Sequence, residues 1–222
     1  RITGEVMTSI KQRASRPGYL AQRVWQQAVF PNHPYGRPIT GSEATLKTIQ
    51  QADLKAFVKD NLAKDRLLVG VSGDITPAEL GTLLDEAFGG LPDKAAAQIV
   101  PQAKPEALGY TFVLNRQMPQ SVAVFGLPGL LRNDPDFYAA FVMNHILGGG
   151  TFSSWLYEEV REKRGLAYSI YSYLQPRNHS PYWMGSVATA NAGMAKSVDL
   201  IRTQVRKMHD EGVSDEQLEN AK

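Results

Sequence analysis

Gly148-Gly149-Gly150-Thr151-Phe152-Ser153-Ser154-Trp155-Leu156-Tyr157-Glu158-Glu159-Val160-Arg161-Glu162-Lys163-Arg164-Gly165-Leu166-Ala167-Tyr168-Ser169 is the stretch on which the reading of this chain turns. Its three glycines stop a helix that opens at Asp134-Pro135 and runs to about Leu147, because glycine ends helical periodicity more readily than any residue except proline. The spacing predicts a second helix from Ser153 to Lys163. From Ala167 the pattern changes to that of a strand, and Ala167 to Leu174 with Tyr182 to Thr189 reads as a hairpin of long strands. Two strand-like runs precede this block, Tyr110 to Asn115 and Ser121 to Gly126. A basic amphipathic helix, Ala192 to His209, follows it, and Ser214-Asp215-Glu216-Gln217 caps a last helix. The order strand, strand, helix, helix, strand, strand, helix predicts an α+β domain with antiparallel strands under helices.

Toward the N-terminus, Ile2, Val6, Met7 and Ile10 recur at helical spacing until Arg16-Pro17-Gly18 breaks the pattern. A helix from Tyr19 to about Phe30 comes next, then an irregular loop marked by Pro31, Pro34, Gly36 and Pro38. Ser42-Glu43-Ala44-Thr45 reads as a cap on a short turn ending at Ile49, and Gln51 to Leu62 as an amphipathic helix. Leu67 to Gly73 has the continuous apolar character of a buried strand. Thr76-Pro77-Ala78-Glu79 combines a cap, a proline at the first helical position and an acid three residues after the cap, a strong helix start. Residues 91–107 hold Pro, Ala, Lys and Gln without periodicity, as a linker does. The expected division is therefore 1–90, a linker at 91–107, and 108–222.

Composition closes several functional classes. The formal charge is +2, from 24 Lys+Arg against 22 Asp+Glu, and the basic residues are dispersed, so there is no stripe to displace counterions from nucleic-acid phosphates. With 0 cysteines there is no disulfide framework, thiolate zinc site or Cys nucleophile. No apolar run approaches the ~18 residues that would suggest a membrane span, and no basic-then-apolar leader opens the sequence. Helical patterns run off both ends, so the chain reads as a piece of a longer one.

The glycine triplet lacks the Lys-Ser/Thr ending of a phosphate loop and follows a helix rather than a strand, so it reads as a tight helix-to-helix connection. His33, His145, His179 and His209 include no i, i+4 pair, and neither H-e-x-x-H nor its inverse is present. His145 reads as a core or loop-satisfying histidine, His33 as a loop residue, and His209 as a complement to a helix end. No G-x-S-x-G elbow supports a serine hydrolase. The charge run Glu158 to Arg164, taken alone, is a solvated helix face.

Taken together, Asn144-His145-Ile146-Leu147-Gly148-Gly149-Gly150, Phe152-Ser153-Ser154, Leu156 and Val160-Arg161-Glu162-Lys163-Arg164-Gly165-Leu166-Ala167-Tyr168 closely resemble the second repeat of insulinase/pitrilysin-type zinc peptidases, the family that includes mitochondrial processing peptidase. His33-Pro34-Tyr35-Gly36-Arg37-Pro38-Ile39-Thr40-Gly41, Ile49, Asp53-Leu54 and Val71-Ser72-Gly73-Asp74-Ile75 resemble the end of that family's first repeat. The resemblance covers almost the whole chain. It implies two homologous α+β repeats of antiparallel sheet covered by helices, both truncated here: 1–90 would close the first and 108–222 would open the second.

The resemblance also implies chemistry. In such peptidases the first repeat carries an H-x-x-E-H zinc motif and a third carboxylate ligand on a later helix. The second repeat supplies an arginine and a tyrosine, seven residues apart, that hold substrate. Arg161 and Tyr168 match in motif and spacing, and are the candidate catalytic and substrate-binding residues. Register from His33-Pro34-Tyr35-Gly36-Arg37 places the family's acidic positions near Ile2, Ser9 and Gln12, none of which is a carboxylate, and Glu5 is out of register by three. The implied class is the non-catalytic subunit or inactive domain. It would contain no metal itself, pair as a heterodimer with a zinc-bearing sister, and bind peptide or unfolded polypeptide. Two further readings stay open: a piece of a self-sufficient zinc endopeptidase whose zinc motif lies upstream, and a non-proteolytic assembly scaffold of the same fold. Family analogy points to a bacterial protein of the periplasm or cell envelope.

Overall fold

The computed structural model describes residues 1–97 and 99–222; Gln98, inside the expected linker, lies outside the described residues. The chain divides into two compact units, Arg1–Gly41 with Val100–Lys222, and Ser42–Ile99.

In the smaller unit, helices α3 (Glu43–Thr48), α4 (Gln51–Asn61) and α5 (Pro77–Phe88) begin where the cap chemistry places them. The Ser42 hydroxyl accepts from Thr45 N–H, and the Thr76 hydroxyl accepts from Glu79 N–H at 3.3 Å while the Glu79 carboxylate accepts from Thr76 N–H at 3.0 Å. Leu67 to Gly73, expected as a buried strand, is neither: it forms no ladder, and Leu68 is 96% exposed. The apolar sequence is right for a strand, but a strand exists only against a partner backbone, and none of the described residues pairs with it.

In the larger unit, α1 (Ile2–Ala14) ends just before the break, and α2 (Pro17–Val29) starts with Pro17 in the first turn, where its missing N–H costs nothing. The sheet has three strands, β1 (Gln120–Pro128), β2 (Ala167–Gln175) and β3 (Tyr182–Ala190), in the order β1-β3-β2 with both pairings antiparallel. Tyr110 to Asn115, the other expected strand, also lacks a partner; Val113 is 87% exposed. Helix α6 (Phe137–Asn144) runs on into a π-helical turn, His145–Gly149, and a second π-helical turn spans Tyr157–Glu162. Helices α7 (Met194–Asp210) and α8 (Asp215–Ala221) finish the chain.

Strand alternation sorts the core onto two sheet faces. Ile170, Trp183 and Val187 join Ile146, Leu147, Leu156, Val160 and Ile201 under the helices, while Tyr182 and Met184 meet Val29 and Phe30 on the opposite face. His33 is buried there: its Nδ1 accepts from Tyr35 N–H at 3.1 Å, so Nε2 carries the proton and donates to Pro101 O at 2.9 Å. His145, expected in a core or loop-satisfying role, is exposed.

One polar hub ties α6 to the sheet. Buried Asn144 accepts from Ser172 Oγ at 2.8 Å and Trp183 Nε1 at 2.7 Å, and its Nδ2 donates to Ser172 O at 3.3 Å. Gly148 follows within the next turn because any Cβ there would collide with the Ser172 hydroxyl. Asn144→Leu strands two buried donors at once and should cost about 2–4 kcal/mol. Chemical denaturation measures this, and an unchanged midpoint would show that the hub holds nothing.

Candidate functional site

The site is built where a helix becomes a strand. Val160 is fully buried and anchors the second π-helical turn in the core. The chain then reverses within a few residues: Gly165 N–H donates to Arg161 O at 2.8 Å and Leu166 N–H to Val160 O at 2.9 Å. Gly165 has φ +60°, a left-handed conformation that glycine adopts without a Cβ penalty, so the glycine in the quoted stretch is required by the turn. Leu166 O then accepts from Thr189 Oγ1 at 2.5 Å, which docks the turn on β3.

At the start of β2 the register slips. Ala167 pairs with Thr189 and Ser169 with Ala188, leaving Tyr168 as the extra residue of a β-bulge. A bulge re-aims the side chain it carries. Tyr168 is 81% exposed. Its ring centroid lies 5.7 Å from the Arg161 guanidinium carbon. The turn thus brings together the two residues marked in the sequence, and both line an open cavity of about 460 Å³ with Gln120, Gly165 and Thr189.

The charges around the turn are sorted. Lys163 Nζ reaches Glu159 at 2.7 Å and Glu158 at 2.9 Å, and Arg164 Nη1 reaches Glu159 at 2.5 Å. Hydrogen bonds from Lys163 first and Arg164 second hold the Glu159 carboxyl below the usual carboxylate range, against burial, which raises it. Arg161 makes no ion pair among the described residues; its guanidinium carbon sits 4.8 Å from the Tyr157 ring centroid. Tyr157 is not among the residues that the motif points to, and its signal in the sequence is its position four residues before Arg161, the spacing at which helical side chains meet.

Residues 48–222 match the family described as Peptidase M16 inactive domain. The chain is 32% identical over 176 residues to "Uncharacterized zinc protease SCO5738" of Streptomyces coelicolor, covering 77% of this chain and 38% of that protein. It is 26% identical over 223 residues to "Non-peptidase homolog YmxG" of Helicobacter pylori, covering 100% of this chain and 51% of that protein. The crystal structure of a peptidase M16 inactive domain from Pseudomonas fluorescens superposes with a TM-score of 0.89 at 26% identity, over 100% of this chain and 53% of that one. The chain therefore spans about half or less of the length of these relatives.

Zinc is implied by such relatives, but the donors present do not fit it. Among the described residues no group of three or more His, Asp or Glu side chains could hold a metal ion. On α1 the one carboxylate, Glu5, pairs with Arg1 Nε at 3.5 Å, and Ile2, Ser9 and Gln12 offer none. Nor is any helix of the described residues long and apolar enough to cross a membrane.

The lowered Glu159 carboxyl has a consequence for stability. A group whose folded pKa is depressed contributes fully above its unfolded value, and the contribution is lost as pH falls through the folded one. Glu159→Gln should therefore lower the thermal midpoint at pH 7 by the equivalent of about 0.5–1 kcal/mol, the range for a networked surface carboxylate. The gap should close on acidification below the carboxylate range. A gap that persists in acid would assign the loss to packing instead of charge.

Proposed function

Because this chain belongs to the peptidase M16 inactive-domain family, we propose that it is the substrate-gripping, non-hydrolytic part of a zinc endopeptidase, in which Arg161 and Tyr168 complete the active site of a zinc-bearing partner subunit. The observation that carries this reading is the juxtaposition of an arginine free of carboxylate partners and an exposed tyrosine on one bulged turn, at an open cavity. A planar guanidinium presents five N–H donors, which suits it to the carbonyls of an extended peptide. The Tyr168 hydroxyl is a neutral donor able to stabilise the oxyanion that develops as a peptide carbonyl is attacked. The partner's metal would supply the activated water. On this reading residues 1–90 end one repeat, 91–107 cross over, and 108–222 begin the next. The name of the Helicobacter relative, a non-peptidase homolog, supports a chain that does not cut by itself.

A second reading, a piece of a self-sufficient zinc endopeptidase, is favoured by the Streptomyces relative's name and by the 38% of that protein that this chain covers. Metal content of the full-length protein separates the two. The first reading expects no stoichiometric zinc, and the second expects one ion per chain.

The two residues should fail differently. Tyr168→Phe in the protein reconstituted with its partner should lower kcat roughly 10²-fold with little change in KM, as loss of a donor used only in the transition state does. Arg161→Ala should raise KM and lower kcat together, because it grips the ground state as well. Steady-state kinetics on an extended peptide checks both, and the reading fails if neither parameter moves for either variant.

A further inference from the structure

Among the described residues, Arg161 is the only cation of its turn that is held by no acid. Lys163 and Arg164, two and three residues on, are engaged by Glu158 and Glu159. What holds Arg161 is an aromatic pair, with its guanidinium carbon 4.8 Å from the Tyr157 ring centroid and 5.7 Å from that of Tyr168. The two rings are not equivalent. Tyr168 is 81% exposed, whereas Tyr157 is 6% exposed and belongs to the main core cluster. Phe152 braces Tyr157 further, edge to face, with centroids 5.2 Å apart at 78°.

A contact through a ring face draws on charge and leaves N–H donors of the guanidinium unspent. A carboxylate in the same place would consume them in a bidentate pair. An arginine also loses much rotamer freedom when it grips a ligand, and less if it is already oriented. A buried ring beneath Arg161 therefore provides orientation without competing for hydrogen bonds.

We infer that Tyr157 is a positioning residue for Arg161: its buried ring holds the guanidinium at the mouth of the cavity beside Tyr168, with donors free for the carbonyls of an extended peptide. This rests on the reading of Arg161 as a peptide anchor. Tyr157 touches no peptide itself and acts only through the cation above it. Burial pushes its phenol above the usual range, the Arg161 charge opposes this, and the Glu162 charge and hydrogen bond add to the rise.

The test is a double-mutant cycle on the full chain. Binding of a fluorescein-labelled, uncharged Ala/Ser/Val peptide of about a dozen residues is followed by anisotropy, with thermal midpoints measured in parallel. Tyr157→Leu, which keeps apolar bulk and removes the π face, should weaken binding roughly 3- to 30-fold, the range spanned by cation–π contacts from exposed to desolvated. Tyr157→Phe, which keeps the ring, should recover most of that affinity. In an Arg161→Ala background, Tyr157→Leu should change nothing further, whatever it does to the midpoint. Tyr157→Leu that binds like wild type, or that weakens binding equally with and without Arg161, overturns the inference and leaves the anchor reading intact. Arg161→Ala that binds like wild type removes the anchor reading itself.

Discussion

The candidate site depends on one constraint: the backbone must pass from a buried helical turn to an edge strand between Val160 and Ala167 without releasing either end. Val160 is sealed in the core and Ala167 is paired to Thr189, so the residues between them have almost no freedom of placement. The solution is a π-helical winding, closed by Lys163 N–H to Glu158 O at 2.9 Å, and then a left-handed glycine. Wide winding of this kind is rare and recurs at functional sites, since it inserts a residue into a helix without melting it. A bulge follows at Tyr168, which does the same to a strand. Each insertion turns a side chain away from the direction that regular geometry would give it. Two in succession set Arg161 and Tyr168 beside one cavity.

Such a turn holds its shape only if what lies beneath it is rigid. The apolar cluster under the sheet supplies mass but little direction, because dispersion and burial are indifferent to a small slide. Direction comes from Asn144, whose hydrogen bonds from α6 to Ser172 on β2 and Trp183 on β3 depend on how these elements are placed. A buried amide hydrogen-bonded through both its oxygen and its nitrogen narrows the register of a core in a way that leucine cannot, since a slip leaves polar atoms dry and unpaired. Ser172 lies on the strand that begins with the bulge. The hub and the site therefore share β2, and the helix-to-strand turn inherits its position from that hydrogen-bonded strand.

These features differ in how far the sequence reveals them. The β2–β3 hairpin and the capped starts of α3 and α5 are legible because alternation and capping are local rules, and the residues obeying them sit within a few positions of one another. Leu67 to Gly73 and Tyr110 to Asn115 carry the same local signals and form no strands, because pairing is a property of two segments and neither finds a second among the described residues. The bulge at Tyr168 and the two π-helical turns lie beyond any periodicity argument. They are shifts in hydrogen-bond partner that leave residue types unchanged, and only Gly165, obliged by its positive φ, hints at one of them. Arg161 and Tyr168 stand out in the sequence through a motif resemblance, whereas Tyr157 shows there only its one-turn spacing from Arg161, and its place beneath the guanidinium is plain only in the contacts.

The sorting of charge explains why an arginine here can stay available. Three acids, Glu158, Glu159 and Glu162, lie within one turn of Arg161, and on an ordinary helix Glu158, three residues before it, is the one spaced to pair with it. Glu158 and Glu159 are drawn away by Lys163 and Arg164, whose side chains fold back over the turn. Those two cations therefore occupy Glu158 and Glu159, and Arg161 takes no part in these ion pairs. Basic and acidic groups are equal in number around the turn, Arg161, Lys163 and Arg164 against Glu158, Glu159 and Glu162. A carbonyl presents the acceptor that the free guanidinium lacks and brings no charge that the neighbouring carboxylates would repel. The backbone of an extended polypeptide offers such groups in series, whatever its side chains, so on the proposed reading the site would recognise a chain by its main-chain dipoles before any sequence.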